Sequence, residues 1–238
     1  MQHVNWQSYA TVYDIILHHN PAYLALVDRF QDEIKRWPIQ QNNTLADFGA
    51  GTGNFSIVLA KQFQDSEILH IDSDAQMNQI AADKAGVLTK QNLKFITEAV
   101  EDLDVVEESL AGIVCVHALY TLTDPPAALH KMQRLLKPGG LAYFCDIGRV
   151  LVISDWIKFF IAHLVRQYGV LGTMKFLWNA REGTKQNRII RDLQKSGRYW
   201  THSHDEFCQV VQQAGFEIIS SDVCYRGYSD MVVARKNG

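Results

Sequence analysis

The sequence predicts an α/β fold, a doubly wound and mostly parallel sheet of seven strands with helices on both faces. From about residue 45 to 148, short apolar runs alternate five times with segments of helical periodicity, which is the order that builds a parallel sheet. After residue 203, one further helix precedes two apolar runs joined by a short Arg-Gly turn, which adds the last two strands. The length suits a single domain, 1–238.

The first part of the chain, 1–40, predicts a helical cap on this sheet. One helix runs over about 5–18, and the next begins at Asn20-Pro21, where asparagine can cap a helix and proline suits its first turn. The next five strands are expected, in order, at TLADF, EILHID, LKFIT, GIVCVH and LAYFCDI. Helices are expected at NFSIVLAKQF, SDAQMNQIAADKAG and DPPAALHKMQRLL, with Gly86 ending the second and a tight KPGG turn after the third.

A different pattern occupies residues 149–200. It predicts helices rich in aromatic side chains, and aromatics at helical spacing usually pack in a core. The most apolar run, 150–165, contains two charged residues and is too short to span a bilayer, so no integral membrane segment is expected; peripheral contact with lipid stays open. Ser203 and Glu206 then have the spacing of a capping box, which marks the start of a further helix.

Composition and charge narrow the classes of partner. The net charge is −3 and no block of like charges occurs, which argues against a nucleic acid. The four cysteines are widely spaced without a C-x-x-C pair, so buried free thiols in a reducing compartment are expected. The N-terminus lacks the basic-then-apolar layout of a signal peptide. These observations predict a cytoplasmic protein with a small-molecule partner.

The stretch LADFGAGTGNFS, residues 45–56, is the strongest chemical signal. Glycines between a strand and a helix let a ligand approach the backbone closely. A dinucleotide site needs G-x-G-x-x-G, but the third glycine is replaced by Asn54 if the pattern starts at Gly49, and by Ser56 if it starts at Gly51. The loop therefore fits a dinucleotide poorly.

The carboxylate of Asp47, two places before the first glycine, separates two classes of ligand. It would repel a pyrophosphate, whereas it can hold the ammonium end of S-adenosylmethionine, which also carries a sulfonium. Asp72 ends the second strand, about 20 residues after the loop, where an acidic residue can bind both hydroxyls of a ribose. Asp72 would bind the ribose of NAD equally well. Only Asp47 and the G-x-G-x-G spacing therefore distinguish S-adenosylmethionine from a dinucleotide.

Three stretches carry a family resemblance: LADFGAGTG, ILHIDSDAQM and HKMQRLLKPGGLAYF. They resemble the class I S-adenosylmethionine-dependent methyltransferases, especially the small-molecule branch related to the ubiquinone and menaquinone methylases. The resemblance covers about 45–148 well and 203–235 more loosely. It implies the Rossmann-like methyltransferase fold, S-adenosylmethionine as cofactor with S-adenosylhomocysteine as product, and a helical lid or substrate insertion at 149–200, after the fifth strand.

The resemblance, together with the residues themselves, also implies a set of cofactor-binding positions. They are Tyr13, Asp47, Gly49, Ala50, Gly51, Asn54, Asp72, Ser73, Met77, Ala99, Val100 and His117. Met77 is expected to pack near the adenine. Val100 follows the place where the family often has an aspartate for the adenine amino group, so its backbone N–H is expected to serve instead. The N-terminal YATVYD is expected to fold over the cofactor, with Tyr9 or Tyr13 near the methionyl group.

Two residues are candidates for the catalytic step, His117 and Tyr120. His117 follows IVCV and should emerge at the crevice, as a structural histidine, as a wall of the methyl-transfer site or as a general base. Tyr120 is a similar candidate or simply packs. His202 and His204 form an H-x-H without further ligands at suitable spacing, so no metal site is predicted, and the pair is expected to lie exposed at a helix start.

The function predicted from these observations is methyl transfer from S-adenosylmethionine to a small, partly apolar metabolite. Oxygen, nitrogen and carbon acceptors are all compatible with the sequence. Two alternatives stay open, a nicotinamide-dependent oxidoreductase and a binding module that holds S-adenosylmethionine without catalysis. The protein is expected to be a monomer or a homodimer.

Overall fold

The structure is a computed structural model that describes residues 3–88 and 92–237. Its seven strands are β1 (Thr44–Phe48), β2 (Glu67–Ile71), β3 (Leu93–Ile96), β4 (Leu110–Val116), β5 (Leu136–Ile147), β6 (Phe216–Cys224) and β7 (Ser229–Lys236). They form one sheet in the order β3-β2-β1-β4-β5-β7-β6. Every neighbouring pair is parallel except β5–β7 and β6–β7, which are antiparallel. The predicted doubly wound, mostly parallel sheet is confirmed.

The α-helices of the described residues are α1 (Trp6–His18), α2 (Pro21–Ile34), α3 (Asn54–Gln62), α4 (Ala75–Leu88), α5 (Pro125–Leu135), α6 (Ile153–Asn179), α7 (Arg181–Lys195) and α8 (His204–Gln213). The helix starts expected from the sequence are confirmed. The Asn20 side chain accepts the backbone N–H groups of Ala22 and Tyr23 at the start of α2. Ser203 and Glu206 form the full capping box of α8. Short polar side chains thus fix these boundaries.

Both faces of the sheet are buried under helices. On one face, residues of α5 and α8, such as Met132 and Phe207, pack on Ile113 of β4. On the other, residues of α2 and α3, such as Phe30, pack on the neighbouring Val114. Consecutive residues of β4 therefore serve opposite apolar layers, and all seven residues of this central strand are buried.

Two local expectations are wrong. Gly86 does not end its helix, because α4 continues to Leu88 and Gly86 does not adopt a positive φ. The KPGG stretch is a bulge inside β5 and not a free turn: Leu136 pairs with Leu110, and Leu141 already pairs with Gly112. The residues between them therefore leave the register, and Gly139 has a φ of 75° there.

The aromatic segment forms two consecutive helices, α6 and α7. Gly169 breaks α6 with φ 66° and ψ −177°, a combination that only glycine adopts without strain. The two halves of α6 both contact His19, the residue that follows α1, since the rings of Tyr168 and Phe176 lie 5.6 and 4.9 Å from the His19 ring. Within the described residues, no helix, α6 included, combines the length and apolarity needed to cross a membrane.

Candidate active site

An open cleft of about 960 Å³ lies at the carboxyl ends of β1, β2 and β4. The strand order reverses between β1 and β4, and ligands of doubly wound sheets bind at such a reversal. The structure brings all the expected cofactor positions together in the lining of this cleft: Tyr13, Asp47, Gly49, Ala50, Gly51, Asn54, Asp72, Ser73, Met77, Ala99, Val100 and His117. Their contacts with a cofactor stay predictions.

The glycine loop follows β1 with positive φ at Gly49, Gly51 and Gly53, at 64°, 55° and 79°. The reasons differ from one glycine to the next. A Cβ on Gly49 would lie 2.3 Å from the Cβ of Ala118, so this glycine lets the loop pack against the end of β4. A Cβ on Gly51 would meet no protein atom within 4 Å, so this position borders open space. A Cβ on Gly53 would lie 3.0 Å from the Cβ of Ala81, which is also a tight contact. Packing therefore demands a glycine most strongly at Gly49, less strongly at Gly53 and not at Gly51.

We expect Gly49→Ala and Gly51→Ala to separate folding from binding. Gly49→Ala adds a clash with the Cβ of Ala118, which can move only with its backbone, to the positive-φ cost of roughly 1–2 kcal/mol. This variant should lower the free energy of unfolding by more than about 3 kcal/mol. Gly51→Ala should cost only the first term and should weaken cofactor binding, because its methyl group enters the cleft. Urea unfolding and calorimetric titration measure the two quantities. Equal losses of stability in both variants would contradict the packing argument.

Asp47, the carboxylate beside this loop, is buried and accepts a hydrogen bond from within the protein. The Ser56 hydroxyl donates to its Oδ2 at 2.6 Å, and the same hydroxyl oxygen lies 2.8 Å from Nδ1 of the buried His70. Burial raises the pKa of Asp47 to about 7, with the Ser56 hydrogen bond lowering it and the nearby Asp72 raising it further. A carboxylate in this position is stabilised as an anion by a cationic ligand, so the site fits a sulfonium or ammonium compound.

Asp72, at the end of β2, is fixed by two backbone hydrogen bonds. Its Oδ2 accepts from the N–H of Gly51 at 2.8 Å, and its Oδ1 accepts from the N–H of Asp74 at 2.9 Å. Burial raises its pKa. Each carboxylate oxygen keeps a further lone pair, so the group can accept two hydroxyl donors from a ligand without rotating.

The side chain of Asn54 lies in the cleft lining and is hydrogen-bonded within the protein. Its amide donates to the Tyr23 hydroxyl at 3.2 Å and accepts from Lys84 at 2.8 Å, so it is engaged with protein groups. Lys84 also forms a half-buried ion pair with Asp14 of α1 at 2.9 Å, and Thr52 donates to the same Asp14 at 2.6 Å. This network attaches α1, which contains YATVYD, to the glycine loop and to α4.

A second cavity adjoins the cleft, and its space of about 1060 Å³ includes the part that is open to solvent. Its described lining contains aromatic, aliphatic and neutral polar side chains and no Asp, Glu, Lys or Arg. Trp6, Tyr13 and His117 line both spaces, so the cleft and the cavity meet at these three residues. Tyr120 and Tyr9 line the cavity and are not part of the cleft lining. Of the two tyrosines expected near the methionyl group, Tyr13 lines the cleft and Tyr9 does not.

His117 at this junction has an unusual backbone and a neutral ring. Its φ is 54°, a conformation rare outside glycine, and its N–H donates to the Cys145 carbonyl at 2.7 Å. Its Nε2 lies 2.9 Å from the Ser229 hydroxyl, and the Tyr225 ring lies 4.8 Å away. Burial lowers the pKa of His117 to about 3, so the ring is uncharged at neutral pH. The hydrogen bond fixes the ring as a wall of both spaces.

Sequence reasoning missed several residues of the site. Trp6 was not singled out, although Trp6, Tyr9 and Tyr13 stand three and four positions apart and therefore share one face of α1. That spacing was an available signal. Tyr225 lines the cavity from the turn between β6 and β7, and no local signal connects it with α1.

The expectation of an exposed histidine pair is wrong for His202. Its side chain is buried between Asp146, at 3.5 Å, and Asp230, at 3.2 Å, while His204 is partly exposed and contacts Asp230 at 3.0 Å. Burial by itself lowers the pKa of His202, but the two carboxylates outweigh burial and raise the pKa to about 9. Arg149 also pairs with Asp230. The carboxylates of Asp146 in β5 and Asp230 in β7 compensate the positive charge of His202, which explains why this histidine is buried just before α8.

Comparisons with known proteins show the family of this chain. A family model described as a methyltransferase domain matches residues 16–221. The ubiquinone/menaquinone biosynthesis C-methyltransferase UbiE of Rickettsia bellii is 24% identical over 212 residues, which cover 86% of this chain and 79% of the relative.

Two solved structures illustrate the likeness in fold. A SAM-dependent methyltransferase from Aquifex aeolicus has a TM-score of 0.64 at 16% identity, over 96% of this chain and 97% of the other. The Haemonchus contortus phosphoethanolamine N-methyltransferase 2, solved in complex with S-adenosyl-L-methionine, has a TM-score of 0.59 at 12% identity, over 89% and 53%.

The family match spans most of the chain and includes the glycine loop, Asp47 and Asp72. It decides between the cofactors that Asp72 alone left open, in favour of S-adenosylmethionine. The chain belongs to the methyltransferase-domain family and is an S-adenosylmethionine-dependent methyltransferase.

Proposed function

We propose that this protein methylates a small, uncharged, partly apolar metabolite bound in the aromatic cavity. The observation that supports the proposal is the meeting of two unlike spaces at Trp6, Tyr13 and His117. One space presents buried carboxylates that suit a cationic cofactor. The other presents aromatic and neutral polar groups, which bind an uncharged compound and leave a charged one without a counter-ion.

The cofactor residues act by holding and orienting. Bound S-adenosylmethionine supplies an activated methyl group and a neutral thioether leaving group. Asp72 would hold the ribose hydroxyls, Asp47 would hold the ammonium end, and the bare backbone of the glycine loop would allow close approach. Tyr13 and His117 shape the passage between the two spaces. Alignment of this kind can supply roughly 7–11 kcal/mol of the barrier reduction.

The helices around the cavity complete the proposal. Trp156, Phe160 and Phe176 of α6 line the cavity, so we assign 149–200 as a lid over the acceptor within a single domain whose cap is 1–40. An apolar lining reduces the number of ordered water molecules around the reacting groups. We further propose a cytoplasmic enzyme, monomeric or homodimeric, without a nucleic-acid partner.

For the acceptor atom we propose carbon in an electron-rich ring compound. The support is the aromatic cavity together with the C-methyltransferase name of the relatives that are 24–27% identical. We assign His117 to orienting the acceptor, because a pKa near 3 makes it a weak proton acceptor. The ring carbon that gains the methyl group loses a proton, and we assign the uptake of that proton to water at the open side of the site. Tyr120 lies in the same cavity, 5.5 Å from the Tyr199 ring, and we assign it to acceptor contact.

The pKa of Asp47 predicts a pH dependence of cofactor affinity. The carboxyl has a pKa of about 7 in the protein alone, and a cationic ligand binds to its ionised form. Affinity for S-adenosylmethionine should therefore be full above about pH 8 and should fall by about tenfold between pH 8 and pH 6. Calorimetry at both pH values measures this change. Asp47→Asn should bind weakly at pH 8 and show a smaller pH dependence; an unchanged tenfold dependence in this variant would assign the proton to another group.

Mass spectrometry with methyl-deuterated S-adenosylmethionine tests the proposed reaction. The protein is incubated with a panel of phenols, hydroquinones, amines and carboxylic acids, with an Asp72→Ala preparation as the control. We expect a mass gain of one deuterated methyl group on an uncharged ring compound, at carbon by fragmentation, and none in the control. Labelling confined to the carboxylic acids or the charged amines would refute the acceptor class.

A further inference from the structure

The charge of this chain is unevenly distributed. Residues 149–200 contain ten Lys and Arg against three Asp and Glu, a net charge of +7, whereas the whole chain carries −3. The remainder is therefore strongly acidic, at −10. Since α6 and α7 fill most of the basic segment, these two helices present a cationic region on an otherwise anionic protein.

The second half of α6 also exposes large apolar side chains. Val170, Leu171, Met174 and Trp178 are 65%, 83%, 64% and 69% exposed. Residues 171, 174 and 178 are three and four positions apart, so they share one face of the helix, next to the kink at Gly169. Contiguous exposed apolar groups of this size usually mark an interaction surface.

Basic side chains flank this apolar face. Lys175 is exposed between Met174 and Trp178, and the Arg181 guanidinium lies 4.7 Å from the centre of the Trp178 ring. On α7, Arg181, Lys185 and Arg188 are exposed at positions i, i+4 and i+7, which is again one face. We call these apolar and basic residues, Val170, Leu171, Met174, Lys175, Trp178, Arg181, Lys185 and Arg188, the α6–α7 surface.

We propose that the α6–α7 surface docks on an anionic lipid bilayer, with the apolar side chains entering the interface and the basic ones contacting lipid headgroups. Apolar groups beside lysine and arginine are complementary to a bilayer, which offers acyl chains beneath a negative surface. A second copy of the chain is a poorer partner, because pairing this surface with itself would bring two sets of four basic side chains together. The charge complementarity therefore selects lipid.

The surface adjoins the proposed acceptor cavity. Phe176 and Leu177 line the cavity, and they lie in α6 between Lys175 and Trp178 of the docking surface. If the acceptor is as apolar as proposed above, this single helix separates its binding site from the bilayer. The docking itself depends only on the exposed residues, so it is tested without cofactor or acceptor, and its failure would leave the methyl-transfer proposal intact.

Vesicle sedimentation provides the first test. The full chain is mixed with vesicles of phosphatidylcholine, or of phosphatidylcholine and phosphatidylglycerol at a ratio of about 7:3. We expect binding to the anionic vesicles that weakens as salt rises, and at least about tenfold weaker binding to the neutral ones. No binding to the anionic vesicles, or equal and salt-independent binding to both, overturns the proposal.

Exposed-site variants locate the surface without threatening the fold. Each basic side chain near an anionic surface strengthens binding by about fivefold, so Lys175→Glu with Arg188→Glu should weaken it by at least about 25-fold. The matched control, Lys61→Glu with Lys94→Glu, makes the same change of net charge on exposed residues of α3 and β3 and should retain binding. If both double variants lost vesicle binding equally, the effect would be one of net charge alone, and the assignment of binding to the α6–α7 surface would be overturned.

The apolar half is tested by insertion. Leu171→Asp should reduce vesicle binding at least tenfold, whereas Val106→Asp, at a 76% exposed site before β4, should not. Brominated acyl chains should quench tryptophan fluorescence of the wild-type protein, and Trp178→Phe should bind vesicles with most of that quenching lost. Quenching that survives in Trp178→Phe overturns the proposed orientation. If light scattering showed that the wild-type protein is a dimer and that Leu171→Asp is a monomer, the surface would bind a second copy of the chain, and the proposal that it binds lipid would be overturned.

Discussion

Asp72→Ala is expected to weaken S-adenosylmethionine binding by at least about a hundredfold while the protein stays folded. Asp72 offers two carboxylate oxygens whose direction is fixed by the N–H groups of Gly51 and Asp74. Hydrogen bonds to a charged group contribute about 1.5–3 kcal/mol each, so losing two of them exceeds the energy of a hundredfold change. The variant also leaves the Gly51 N–H without this acceptor, which loosens the glycine loop. Calorimetric titration measures the affinity.

Two controls separate binding from folding at this position. Asp72→Asn keeps the size of the side chain and one acceptor oxygen, so it should bind with intermediate affinity. Asp83→Ala removes an exposed carboxylate from α4, outside the cleft lining, and it should bind as wild type does. If Asp72→Ala retained wild-type affinity, the ribose could not lie on Asp72, and the placement of the cofactor in the cleft would fail.

His117→Ala is expected to lower kcat by about a hundredfold while changing the dissociation constant of S-adenosylmethionine less than threefold. His117 lines both the cleft and the cavity, and its ring is fixed by the hydrogen bond with Ser229. A misplacement of about 1 Å between reacting groups can cost about 10²-fold in rate. Most of the cofactor contacts lie elsewhere in the cleft. Steady-state kinetics and calorimetry provide the two numbers, and equal losses in both would make His117 a cofactor-binding residue.

The pH profile distinguishes orientation from proton abstraction by the same residue. Since burial lowers the pKa of His117 to about 3, it stays neutral between pH 5 and pH 9 and should give no inflection in kcat there. His117→Asn is the matched variant, because asparagine tolerates the positive φ of 54° at this position. An inflection near pH 6.5 that disappears in His117→Asn would instead identify a general base with an ordinary pKa.

The parts that local signals specify were predictable from the sequence. The strand ends, the glycine loop and Asp72 are set by residues close together in the chain, and their meeting follows from the topology of parallel sheets. The capping box at Ser203 is equally local. The meeting of the expected cofactor positions in one cleft could therefore be predicted without knowledge of contacts between distant parts of the chain.

The contacts that close the site were not predictable in the same way. Asp14 and Lys84 are 70 residues apart, and neither carries a local sign that they form an ion pair beside the glycine loop. The polar neighbours of His202 in the sequence favour an exposed residue. In the fold, however, Asp146 and Asp230 from two strands lie beside it and compensate its charge. Both cases depend on charges that only the tertiary fold brings together.

A crystal structure of the protein with S-adenosylhomocysteine tests the central claim most directly. We predict that the ribose hydroxyls bind Asp72 and that the sulfur faces the junction formed by Tyr13 and His117, toward the aromatic cavity. A ligand bound outside the cleft, or one whose sulfur faces away from that cavity, would contradict it.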